Sequence, residues 1–168
     1  MTRIYLVGMP GSGKSTSGKR FAKSMGWGYA DLDKLISIQA GKPLAAIFQE
    51  GGENSFREIE RHVLHQTAES TRLVVGCGGG TAAWFDNMDW MLAQGMVIWL
   101  HVSEGELLKR LLRSKNNRPL FPTREPDDVL HRLRELYNQR KPFYERAHVQ
   151  VRSEQELLSL VPHLHTLH

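Results

Sequence analysis

The sequence predicts an α/β fold in which helices cover both faces of a parallel β-sheet. Short apolar runs, typical of buried strands, alternate with segments of helical periodicity along all 168 residues. No linker, internal repeat or low-complexity segment interrupts this alternation. We therefore expect a single domain over residues 1–168, with three α/β/α layers around a central parallel sheet of about five strands.

The predicted strands are short apolar runs that end at glycine or at a polar residue, as buried strands of a parallel sheet do. The first run stops at Gly8, the second stops before Asp31, and glycines follow the third. The runs lie at residues 4–7, 27–30, 73–75, 96–100 and 149–151.

The predicted helices carry apolar residues at helical spacing between recognisable end signals. Gly26 ends the first helix, Ser103 with Glu106 forms a capping box, and Pro142 is expected to end a later helix. These helices cover residues 15–25, 103–112, 127–140 and 154–164, with short helices in the glycine-punctuated middle region. The polar stretch 114–126 is expected to form a long loop.

The composition is that of a globular protein and excludes several classes. The single cysteine, Cys77, cannot form an internal disulfide or a zinc site built on several cysteines. No apolar stretch approaches the roughly 18 residues of a membrane-spanning helix, and the N-terminal run is too short for a signal peptide. We expect a cytoplasmic protein without a membrane partner. The net charge of +4 allows nucleic acid, an anionic membrane or small anions as ligands.

The strongest motif is G-x-x-x-x-G-K-[ST], which is complete at residues 8–15, between the first predicted strand and the first predicted helix. Backbone N–H groups of such a loop surround phosphate oxygens, while Lys14 reaches the β- and γ-phosphates and Ser15 ligates Mg²⁺. The strand–loop–helix context argues against a chance glycine-rich turn. The predicted nucleotide-binding residues are Gly11, Ser12, Gly13, Lys14, Ser15 and Thr16.

Two carboxylates, Asp31 and Asp33, follow the second predicted strand, at the edge of the sheet where α/β proteins bind ligands. One could hold Mg²⁺ through water, and the other could orient an acceptor hydroxyl or take its proton. An aspartate before Leu35 and Ile36 is also an ordinary helix N-cap, so both interpretations stay open here.

A possible carboxylate-binding arginine lies in the middle region. Arg57 and Glu60 are three residues apart and can pair on one helix face, which would hold the arginine for bidentate contact with a carboxylate. Phe56 supplies an apolar wall beside it. The alternative is a solvated charge run on an amphipathic helix.

Glycines and arginines downstream complete the candidate set. Gly78, Gly79 and Gly80 allow the backbone to approach a ligand closely, although a flexible turn explains them equally well. Arg118 lies in the long basic loop, which fits a lid that closes over phosphates. Arg140 is either a further anion-binding residue or a cation that favours the dipole at a helix C-terminus.

Together these motifs resemble the shikimate kinase family, which has the nucleoside monophosphate kinase-like P-loop fold. The phosphate loop is shared by many families, but the combination with the other motifs is specific, and it covers most of the chain in the family's order. These other motifs are Asp31-Leu32-Asp33, Gly51-Gly52-Glu53-Asn54-Ser55-Phe56-Arg57, Gly78-Gly79-Gly80, Arg118-Pro119-Leu120 and Arg140-Lys141-Pro142-Phe143-Tyr144.

The resemblance implies an ATP-dependent kinase that phosphorylates the 3-hydroxyl of shikimate, with Mg²⁺ as cofactor and a monomer as the default state. Residues 112–125 would form the lid and residues 33–62 the acceptor-binding segment. Asp33 would contact the shikimate hydroxyls as the base or beside it. Arg57 and Arg140 would bind the carboxylate, while Gly79 and its neighbours donate backbone N–H groups.

On the nucleotide side, the resemblance implies that Asp31 holds Mg²⁺ through water, together with Ser15. Lys14 and Arg118 would stabilise charge on the transferred phosphoryl group. Arg110 is similar to the family residue that lies against adenine.

Three alternative functions remain at this stage. Another small-molecule kinase of the same fold, such as a gluconate kinase, shares the phosphate loop. A non-catalytic nucleotide-binding regulatory domain does not need the acceptor residues Asp33 and Arg118. A nucleic-acid binder is disfavoured because basic and aromatic residues do not interleave along the chain.

Overall fold

The computed structural model describes residues 2–115 and 118–165. Its strands are β1 (Arg3–Val7), β2 (Gly28–Asp31), β3 (Leu73–Gly76), β4 (Met96–Leu100) and β5 (Val149–Val151). They form one parallel sheet in the order β2-β3-β1-β4-β5. The predicted α/β fold and each of the five predicted strands are confirmed.

Helices lie around this sheet, and short 3₁₀ turns follow α3 and precede α4. The α-helices of the described ranges are α1 (Lys14–Met25), α2 (Leu32–Ala40), α3 (Leu44–Gln66), α4 (Asn87–Gln94), α5 (Glu104–Arg113), α6 (Pro126–Tyr144), α7 (Glu154–Ser159) and α8 (Val161–His165). In the part of the chain that the structure describes, none of these helices is long and apolar enough to cross a membrane.

Strand β1 occupies the centre of the sheet because it is apolar on both faces. Ile4, Tyr5, Leu6 and Val7 are fully buried, and they pair with β3 on one side and β4 on the other. The carboxyl ends of the parallel strands therefore lie side by side, and the loops that follow them meet at one edge of the sheet.

Several predicted helix boundaries were wrong. Pro142 lies inside α6, which continues to Tyr144, and the Glu145 N–H still donates to the Lys141 carbonyl in the last turn. The helix predicted at 154–164 divides at Leu160, because Pro162 has no N–H to donate to the Leu158 carbonyl and fits the first turn of a new helix. Helix α4 was not predicted.

The middle region and the lid follow the sequence pattern more closely. The short helices predicted there are α2 and the two arms of α3, which are separated by non-helical backbone at Gly52 (φ 73°, ψ −179°). In the predicted lid, residues 112 and 113 still belong to α5, and Arg118 forms an isolated antiparallel bridge with Phe121. Asn116 and Asn117, within the predicted lid, lie outside the described residues.

Candidate active site

The phosphate loop connects β1 to α1, as the motif predicts. Gly11 (φ 82°) and Gly13 (φ 86°) have left-handed backbone, which favours glycine. A Cβ atom on Gly8 would lie 2.6 Å from the Leu100 carbonyl oxygen, so this position also excludes a side chain. The glycines are therefore required by the backbone path of the loop.

The Lys14 side chain turns back into the loop. Its Nζ donates to the carbonyl oxygens of Gly8 (2.7 Å) and Met9 (2.9 Å) and to Ser12 Oγ (3.2 Å). Burial lowers its pKa to about 8, against the attraction of the Asp33 carboxylate, which raises it. The ammonium group thus lies inside the phosphate loop.

Asp31 is the N-cap of α2, as one of its two interpretations predicts, and it also contacts the start of α1. Its Oδ1 accepts from the Lys34 N–H (3.3 Å) and caps α2, while its Oδ2 accepts from Ser15 Oγ (2.8 Å). The end of β2 and the start of α1 are therefore joined by two oxygen donors. These are hard ligands of the kind that Mg²⁺ prefers, and Mg²⁺ needs only one or two protein groups because it keeps several waters.

Asp33 lies in the first turn of α2 and faces the loop after β3. A Cβ atom on Gly78 would lie 3.1 Å from Asp33 Oδ1 and 3.2 Å from Glu60 Oε2, so two carboxylates approach the same glycine. Burial, followed by the negative charges of Glu60 and Asp31, raises the pKa of Asp33 to about 6. An elevated pKa of this kind suits a group that accepts a proton near neutral pH.

Arg57 is buried on α3, with 2% of its surface exposed. Its Nη1 donates to Glu60 Oε1 (2.9 Å), which confirms the predicted pair, and its Nη2 donates to Glu53 Oε1 (3.1 Å). Phe56 lies beside it, with the ring centroid 5.0 Å from Cζ, and packs against Phe48. The solvated charge run is excluded, because Glu60 is fully buried.

Each glycine of the triple motif lies against a different functional group. Gly78 faces Asp33, as described above. A Cβ atom on Gly79 would lie 2.9 Å from Arg140 Nη1, and one on Gly80 would lie 2.7 Å from Arg57 Cζ. The Tyr144 hydroxyl donates to the Gly79 carbonyl. Close approach, rather than flexibility alone, explains the motif.

Arg140 points into the site from α6 and is only 4% exposed. Its Nη1 is buried and has no hydrogen-bond partner within residues 2–115 and 118–165. Burial lowers its pKa. Burial of a guanidinium N–H without an acceptor is costly, so an anionic ligand is the natural partner for it. The alternative interpretation, an arginine that only interacts with the dipole at the helix C-terminus, does not explain this burial.

Arg118 approaches the site from the lid. Its Nε is buried and lacks a hydrogen-bond partner in the described part of the chain. Burial lowers its pKa, whereas the charge of Asp33 opposes the shift, so the two groups are electrostatically coupled. The lid arginine therefore faces the same region as the carboxylate on α2.

A cleft of about 920 Å³ lies on the other side of the phosphate loop. Arg110 on α5 forms part of its wall, donating to the carbonyls of Ser12 (3.1 Å) and Gly11 (3.3 Å) and pairing with Glu106. Thr16 also lines the cleft, and the residues between β5 and α7 close it. The cleft thus extends from the loop toward α5, where the rest of a nucleotide can lie.

Several site residues were missed by the sequence analysis. They carry no motif, and the fold brings them from distant segments to the phosphate loop or to Arg57. Glu154, for example, accepts from Ser17 Oγ (2.9 Å) across 137 residues. The missed residues are Thr81, Trp84, His101, Arg152, Ser153 and Glu154.

The chain is similar to known proteins over most of its length. The family model for shikimate kinase matches residues 10–161. A shikimate kinase of Parabacteroides distasonis is 41% identical over 94% of this chain and 91% of its own length. A crystal structure of the Bacteroides thetaiotaomicron shikimate kinase has a TM-score of 0.89 and 34% identity, covering 99% of this chain and 97% of its own. An Acinetobacter baumannii shikimate kinase solved in complex with shikimate has a TM-score of 0.86 and 32% identity, with 99% and 92% covered.

Proposed function

The chain belongs to the shikimate kinase family, and we propose that its site transfers the γ-phosphate of ATP to the 3-hydroxyl of shikimate in the following way. One observation carries the proposal. Three elements bring Asp33, Arg57 and Arg140 against three consecutive glycines beside the phosphate loop. This arrangement fits an acceptor that has both a carboxylate and a hydroxyl. A gluconate kinase and a non-catalytic regulatory domain are not favoured.

ATP binds with its triphosphate along the phosphate loop. The backbone N–H groups of Gly11, Ser12, Gly13 and Thr16 donate to phosphate oxygens at the positive end of α1. When ATP binds, the Lys14 ammonium group gives up its hydrogen bonds to the loop carbonyls and binds the β- and γ-phosphates. Arg110 lies at the wall of the neighbouring cleft, which receives the adenine.

Ser15 and Asp31 would hold Mg²⁺, Ser15 directly and Asp31 through water. Their oxygens are already within hydrogen-bond distance of each other, which fits a small cation with few protein ligands. When bound, the cation neutralises charge on the phosphates.

Shikimate binds against the triple glycine. Arg57 and the unpaired Nη1 of Arg140 bind its carboxylate, with Phe56 as the apolar wall and backbone N–H groups of Gly78, Gly79 and Gly80 as further donors. The carboxylate therefore lies on the side of α3 and α6. This fixes the ring and directs a hydroxyl toward Asp33.

Asp33 accepts the proton of the attacking hydroxyl. With a pKa near 6 it is ionised at neutral pH and is basic enough to act near its own pKa. Lys14 and Arg118 stabilise the charge that develops on the transferred phosphoryl group, Arg118 by closure of the lid. Catalysis then depends on positioning and charge neutralisation, as is usual for phosphoryl transfer.

The protein is proposed to act as a monomeric single-domain enzyme in the cytoplasm, with ATP and shikimate as partners and without nucleic acid. The five strands of the described ranges form one sheet, which supports a single domain. Cys77 is free and buried, which suits a reducing compartment.

A coupled ADP-release assay with a panel of hydroxy acids tests the function. We expect turnover with shikimate and none with gluconate. Gluconate turnover without shikimate turnover would overturn the proposed substrate. ATP binding without turnover of either acid would favour the regulatory domain.

A further inference from the structure

A turn outside the quoted motifs, residues 81–87, reaches Arg57 by two separate routes. Thr81 Oγ1 donates to Glu60 Oε2 (2.8 Å), and the other oxygen of that carboxylate accepts from Arg57. The ring of Trp84 also lies over the guanidinium, with its centroid 5.4 Å from Cζ. We propose that Trp84 is a positioning residue for the acceptor, because it holds the plane of the Arg57 guanidinium in the orientation that binds the acceptor carboxylate.

The turn itself is internally fixed. The Asn87 side chain donates to the Thr81 carbonyl (2.9 Å), and the Asn87 backbone N–H donates to the Trp84 carbonyl (3.2 Å). Asn87 is fully buried. Hydrogen bonds within residues 81–87 therefore hold the backbone that carries Trp84 in one conformation.

A second arginine–aromatic pair attaches the same turn to α3. Arg61, one helical turn after Arg57, lies over Phe85 with Cζ 5.3 Å from the ring centroid and pairs with Asp86 (2.8 Å). Phe85 has φ 51°, a left-handed backbone that bulky residues adopt only when their surroundings enforce it. The Arg57–Trp84 and Arg61–Phe85 pairs together hold residues 81–87 against α3.

Hydrogen bonds alone do not fix the plane of Arg57. Glu53 and Glu60 each accept from one terminal nitrogen, whereas its Nε is buried and unpartnered within the described residues. Bidentate binding of a carboxylate requires the guanidinium plane to face it. The rings of Phe56 and Trp84 both lie over the guanidinium, with centroids 5.0 Å and 5.4 Å from Cζ, and together they restrict tilting of its plane. Trp84 contributes the ring that comes from outside α3.

The test compares Trp84→Leu with Trp84→Phe in steady-state kinetics; it rests on the proposed function, since shikimate is the acceptor used. Loss of the ring should raise KM for shikimate about five- to tenfold, while kcat and KM for ATP stay within about twofold. Trp84→Phe keeps a ring and should restore KM to within about twofold of wild type. Trp90→Phe is the matched control, because Trp90 stacks on His65 away from the site.

Fluorescence titration with shikimate gives a readout that does not need turnover. Carboxylate binding to Arg57 should change the emission of the wild type and of Trp90→Phe, and Trp84→Phe should lose this change. An unchanged shikimate KM in Trp84→Leu, an equal rise in KM for ATP, or a full signal in Trp84→Phe would each overturn the inference. Failure of the wild type to bind or phosphorylate shikimate would instead overturn the proposed function, and this inference with it.

Discussion

The guanidinium of Arg57 lies directly against Gly80, where a Cβ atom would stand 2.7 Å from Cζ. Arg57 cannot retreat from this contact, because Glu53 and Glu60 hold its terminal nitrogens. The contact joins the loop after β3 to α3, and these are two walls of the acceptor site. Glycine at position 80 is therefore a steric requirement of the site.

Gly80→Ala should displace Arg57 and lower kcat/KM for shikimate by about 10- to 100-fold, with KM for ATP nearly unchanged. Steady-state kinetics with each substrate varied will measure this split. Gly105→Ala on α5 is the control, since a Cβ atom there meets nothing within 4 Å. It should leave activity intact and change stability by no more than about 1 kcal/mol, in the stabilising direction. An equal loss in the two variants would contradict the steric argument.

Arg57→Ala should raise KM for shikimate about 10- to 100-fold and KM for ATP far less, because it removes a charge-assisted contact with the carboxylate. It also leaves Glu60 buried without its cation, so the melting temperature should fall. Arg57→Lys keeps a charge for Glu60 but loses the bidentate fork, which separates binding from folding. Equal effects of Arg57→Ala on both KM values would refute the carboxylate-binding role.

Asp33→Asn should lower kcat by about 10²- to 10⁴-fold, because the amide cannot accept the hydroxyl proton. Calorimetric titration with ADP should show that nucleotide affinity is retained. Wild-type turnover in this variant would show that Asp33 only orients the acceptor.

The pH dependence of kcat/KM should be bell-shaped. Asp33, with its pKa raised to about 6, is the base only when ionised, so activity should fall as pH drops below about 6. Lys14, with its pKa lowered to about 8, contributes charge only when protonated, so activity should fall again above about 8. A profile that stays flat between pH 5 and 9 (roughly the range over which both groups titrate) would exclude both roles.

Asp33→Asn should also stabilise the fold at neutral pH. The folded pKa of about 6 lies above the ordinary aspartate value of 3.8, so the folded state holds the proton more tightly and ionisation of Asp33 destabilises it as pH rises through 6. Urea unfolding at pH 7.5 should show a gain of about 1–3 kcal/mol, which disappears toward pH 4. Asp127→Asn, exposed at the start of α6, should give no such gain. A gain that is independent of pH would have another origin.

Much of the fold was predictable because its signals are local. Apolar runs mark the strands, and the phosphate motif fixes the β1–α1 connection through backbone geometry that only its glycines allow. Pro142 misled the prediction because a proline near a helix end removes little of the helix, and α4 was missed because no end signal was recognised there.

The sequence by itself determined the α/β class, the phosphate loop and the pairing of Arg57 with Glu60, since each depends on neighbours within a few residues. Tertiary structure alone decided that Arg140 is buried against Gly79, that Glu154 reaches Ser17, and that Trp84 covers Arg57. These contacts join segments far apart in the chain. Spacing along the chain cannot reveal them, because the order of strands in the sheet and the packing of helices on it decide which segments meet.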